Sequence, residues 1–180
     1  MVLHQIQATY RPAEDRLLLR VSFAGGDRSL KEIRAWITRH LLKNLWPGII
    51  QALETQVMLE RPQAAHASAE IITMQHEATV TAIRSRGDFD APFSADVREF
   101  PFGERPILLA SAHITVGSGQ TPRINFVSAR SGNFEIAFSA TMLHGLCALL
   151  QDAIKQADWD IDLSLPGIPT EQWSEQRVLN

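Results

Sequence analysis

Apolar and polar positions alternate in two stretches of the chain that end alike. In the first, Leu17, Leu19, Val21 and Phe23 alternate with Leu18, Arg20 and Ser22, the period of a half-buried strand. Ala24-Gly25-Gly26-Asp27 then turns the chain, and Ile33, Ala35 and Ile37 alternate with Arg34 and Trp36. Thr38 follows as an N-cap, and Leu41, Leu42, Leu45 and Ile49 open a helical stripe. In the second stretch Ile124, Phe126 and Ser128 alternate with Asn125 and Val127, and Ala129 to Asn133 make the turn. Ile136, Phe138 and Ala140 form the next strand, Thr141 caps, and Leu143, Leu146, Leu150 and Ile154 give the stripe. Glu32-Ile33 overlays Glu135-Ile136 with the same parity.

A further strand precedes each stretch, His4 to Tyr10 before the first and Ile107 to Val116 before the second. Both halves therefore read βββα. The expected fold is α+β, with two tandem βββα units whose antiparallel sheets pack against helices. The units span about residues 3–60 and 106–157. They are joined by 61–105 within one domain of residues 1–157. The joining segment should hold an extra helix over 64–85, since it is long and rich in Ala, Glu, Gln and Met. Residues 86–106, with Gly87, Pro92, Pro101, Gly103 and Pro106, should be loop. Pro47 lacks the amide hydrogen of an interior helical position and should kink or restart the first helix.

Composition narrows the function classes. At 45% hydrophobic and 21% charged residues, the 180-residue chain suits one globular domain. The formal charge of −3 lacks the basic excess from which duplex binders draw affinity. Much of it sits in 158–180, an acidic tail with five acids against Arg177. No run is apolar enough to span a bilayer, and the start has no secretory pattern, so a cytoplasmic protein is expected.

Candidate chemistry fails motif by motif. His76-Glu77 begins like a zinc-protease helix, but position 80 is Val. His40 and His144 fall at similar helical places without ligand spacing. Asp158, Asp160 and Asp162 open like a calcium loop, which Leu163 and Pro169 then break. Gly117-Ser118-Gly119 lies between strands, where a nucleophile elbow does not form. Cys147, the single cysteine, sits on the stripe of Leu143 and Leu150 and reads as a buried structural thiol. No catalytic, metal or cofactor residue is assigned.

One surface carries a binding expectation. If Leu17, Leu19, Ile33 and Ile37 point inward, Arg20, Arg34 and Trp36 share the opposite face, the composition of a hot spot. A non-catalytic interaction module is expected, an adaptor or accessory subunit for a protein or peptide partner. Its open sheet edges also suit a partner's strand or a homodimer. In topology alone the strands-then-helix tandem resembles the Whirly and PUR-type single-strand-binding folds, with none of their motifs. That resemblance implies the alternative, single-stranded nucleic-acid binding by Trp36 stacking between Arg20 and Arg34. An enzyme whose groups converge only in the fold is the third class.

Overall fold

In the computed structural model, which describes residues 2–24, 29–86, 93, 97–117 and 121–167, the alternating stretches become strands. Strands β1 (Val2–Arg11), β2 (Arg16–Ala24) and β3 (Leu30–Ile37) form an antiparallel meander. Leu17, Leu19 and Val21 of β2 and Ile33, Ala35 and Ile37 of β3 are buried on its inner face. Strands β5 (Ile107–Thr115), β6 (Arg123–Ser128) and β7 (Asn133–Ala137) repeat the meander. Both first strands, β1 and β5, carry a register irregularity. Gly132, at φ 90°, supplies the left-handed residue of the β6–β7 turn, a conformation that glycine adopts without a Cβ penalty.

The two meanders join edge to edge in the order β1-β2-β3-β5-β6-β7. The junction is parallel and short, with Ala35 opposite Ile107 and Trp36 opposite Leu108. The other end of the same β3 edge is taken by β4 (Val97–Glu99), also parallel, where Lys31 meets Glu99 at 2.8 Å. The segment 86–106, expected to be loop, thus contributes a short strand. Three residues are too few to show a period against its prolines.

Helix α1 (Arg39–Glu60) starts at Thr38, whose side chain accepts from the Leu41 amide at 3.1 Å. Its inward face, including Leu42, Ile49 and Leu53, lies in the core. The helix runs unbroken through Pro47 and does not restart there. Pro47 and Lys43 are both exposed, so the carbonyl that loses its donor faces the solvent side. A 3-10 turn (Pro62–Ala67) leads into α2 (Ser68–Ser85), the extra helix expected between the units.

Helix α3 (Ala140–Ile154) is capped by Ser139, which accepts from the Met142 amide at 3.3 Å, rather than by Thr141. Ala140 is therefore the first helical residue and not an inward strand position. Phe134, Ile136 and Phe138 fill that side of the core. Packing continues past residue 157: Trp159, Leu163 and Leu165 are buried. Gln151 Nε2 donates to the Leu163 carbonyl at 2.7 Å, and Trp46 Nε1 donates to that of Ser164 at 3.2 Å. The first part of the acidic tail belongs to the body. No helix among the described residues is long and apolar enough to cross a membrane.

Candidate functional site on the outer sheet face

Strand parity places Arg20, Arg34 and Trp36 together on the face of the sheet turned away from the core. A fourth residue joins them. Glu32 shares their parity, is 1% exposed, and stands between the two guanidiniums. Arg20 Nε donates to its Oε1 at 2.7 Å, and Arg34 Nε donates to the same oxygen at 2.8 Å. Burial alone would raise the Glu32 carboxyl, but the bonds from Arg20 and Arg34 hold it below its ordinary value. Phe93 stacks on the Arg20 guanidinium at 3.9 Å and Phe100 on that of Arg34 at 4.7 Å. Arg34 also donates to the Glu104 carbonyl at 3.2 Å. Both arginines are therefore partly covered and already engaged.

The second unit repeats the ion pair. Arg123 and Glu135, twelve residues apart like Arg20 and Glu32, meet at 2.8 Å. There the pair is exposed, and among the described residues no second arginine joins it.

Trp36 lies one step along the strand from this cluster. It is half-buried, opposite Leu18 of β2 on one side and Leu108 of β5 on the other. Leu18 is nearly covered, whereas Leu108 is 41% exposed. The three side chains form an apolar row across the junction of the two units. One step further, Arg11 and Arg16 face each other across β1 and β2. No acidic side chain pairs with either among the described residues. Like charges directly opposite destabilise a strand pair, so a carboxylate placed between them would relieve the repulsion.

Compared with protein-family models, curated proteins and solved structures, the chain matches none. The outer face is thus read from its own chemistry.

The remaining sequence candidates lie apart from it. Cys147 is fully buried, and burial pushes its thiol up to about 12, far from a reactive thiolate. His40 is exposed and pairs with Asn44 of its own helix at 3.1 Å. His76 and His144 are buried together between α2 and α3. Asp162 bonds the amide and hydroxyl of Ser164, closing a local turn. No group of three His, Cys, Asp or Glu able to hold a metal ion comes together among the described residues. Ser118 lies outside the described residues.

Proposed function

We propose that this protein is a non-catalytic interaction module, an adaptor or accessory subunit, whose outer face takes an acidic peptide segment with an apolar anchor. The observation that carries the reading is the row Leu18–Trp36–Leu108. A half-buried tryptophan beside an exposed leucine is the anchor chemistry of protein interfaces. Arg11 and Arg16, which pair with no acid among the described residues, lie beside the row and favour carboxylates on the partner. Single-strand nucleic-acid binding fits this face less well. Phe93 and Phe100 are already stacked on the two guanidiniums, and Arg20 and Arg34 share one carboxylate and keep a combined charge near one.

Affinity capture followed by mass spectrometry, with wild type and Trp36→Ala in parallel, tests the reading. A stoichiometric protein partner is expected on the wild type. The variant should keep its unfolding free energy to within about 1 kcal/mol in a denaturant melt and bind that partner more weakly by about 2 kcal/mol or more. Arg11→Glu with Arg16→Glu should weaken the same complex, most at low salt. Nuclease-sensitive recovery, or tight oligonucleotide binding lost in Trp36→Ala, would replace the protein partner with a nucleic acid.

A further inference from the structure

Two histidines are buried against each other, rings tilted, where α2 lies on α3. His76 of α2 is 9% exposed and His144 of α3 is 2% exposed, with ring centroids 5.6 Å apart. Three of their four ring nitrogens, Nδ1 of each and Nε2 of His144, are buried without a hydrogen-bond partner. Buried polar atoms are ordinarily paired, so three orphans in one contact mark a place that is poorly satisfied when closed.

The helix that carries His76 is weakly held. Of the eighteen residues of α2, Ile72 and His76 are the buried ones. Among the described residues its polar ties are a His76 bond with Gln151 and two others. Thr73 donates to the Pro166 carbonyl at 2.7 Å, and Arg84 lies 3.6 Å from Asp152 in an exposed pair. Its far end places Ile83 over Gly145 of α3 in a groove of about 370 Å³ beside β1.

We infer that α2 is an acid-released cover: protonation of the His76–His144 pair frees α2 from α3 and bares the face of α3 around His144 and Gly145, while the sheet stays folded. This inference is independent of the partner read on the outer face, because α2 lies on the helical side of the sheet.

The surroundings set the direction. Burial lowers His76, while a bond with Gln151 and the charge of Glu77 draw it up and Arg84 opposes it. Burial, then the neighbouring His76, lowers His144 to about 4. On α3, Cys147 is a neutral thiol and Asp152 is engaged by Arg84 and Lys155. The buried face of α1 is wholly apolar, and β1 brings His4 into the neighbouring groove. Both shifts are downward, so the open form binds more protons than the closed one. The closed form is favoured above the ordinary value of 6.5 and loses ground as pH falls from there to about 4. For His144 alone, going from pH 7 to pH 5 raises the opening equilibrium about twentyfold.

Hydrogen exchange of the full chain at pH 7 and pH 5, corrected for intrinsic rates, tests the device in wild type, His144→Gln and His76→Gln. Amides of α2 should lose tenfold or more of their protection at pH 5, with β2, β3 and α1 unchanged, and either substitution should blunt the loss. Unchanged protection of α2 in the wild type overturns the inference. So does loss across all elements together, or an acid response undiminished in both variants. If neither variant folds, nuclear magnetic resonance titration of the wild-type rings decides. Midpoints well below 6.5 that track the exposure of α2 support the cover, and rings titrating at their ordinary value in a closed molecule overturn it.

Discussion

Removing Glu32 would leave two guanidiniums facing each other under Phe93 and Phe100, with no carboxylate between them. Glu32→Ala should therefore destabilise the fold by about 3 kcal/mol, since breaking a buried pair strands its partners. Glu135→Ala, the same change at the equivalent exposed place, should cost below about 1 kcal/mol. Denaturant melts of the two variants make the comparison. Glu32 also titrates below its ordinary 4.5 when folded, so its stabilisation is present above that pH and is lost as pH falls through the folded value. Much of this cluster was legible beforehand. Strand parity alone puts Glu32 with Arg20, Arg34 and Trp36, and the twelve-residue spacing recurs in the second unit. What parity cannot show is cover. Phe93 and Phe100 reach the arginines from a segment far along the chain, and no local pattern reports that.

Elements were legible where their periods are long. The alternation of β2 and the stripes of α1 and α3 follow from burying one face, and each formed. The start of α3 was not legible to the residue, because Ser139 and Thr141 are both good caps two positions apart. Which one caps depends on where β7 leaves the sheet, and β7 ends at Ala137. Ser139→Ala should accordingly cost about 1 kcal/mol, and Thr141→Ala no more than a few tenths. Thermal melts of the two single variants check the assignment. The pairing of His76 with His144 was beyond the sequence for a related reason. Each is a lone histidine on its own helix, and only the approach of α2 to α3 brings the rings together.

Across the molecule, the first part of the acidic segment ties the stretch after α3 to the β1–β2 turn. Trp159 Nε1 donates to Asp15 Oδ1 at 2.7 Å, and its ring packs edge-on against Tyr10. These bonds from Trp159 and Tyr10 hold the Asp15 carboxyl below its ordinary value in the β1–β2 turn. Trp159→Ala should cost about 3–5 kcal/mol, read from a denaturant melt. A change confined to local mobility, with an unaltered midpoint, would mean that the segment only rests on the surface. The meeting of β3 with β5 has another consequence. The two units are joined by translation along the sheet, since β3 and β5 run the same way, and no two-fold axis closes the arrangement. A second molecule's β1 set against β7 would repeat that contact and leave its own β7 open to a third. Such growth has no last step, so it gives fibres and not dimers. The difference between a ten-residue β1 and a five-residue β7, which bears Glu135, is then a safeguard. Variants that lengthen β7 or neutralise Glu135 should be watched for polymerisation before any loss of stability.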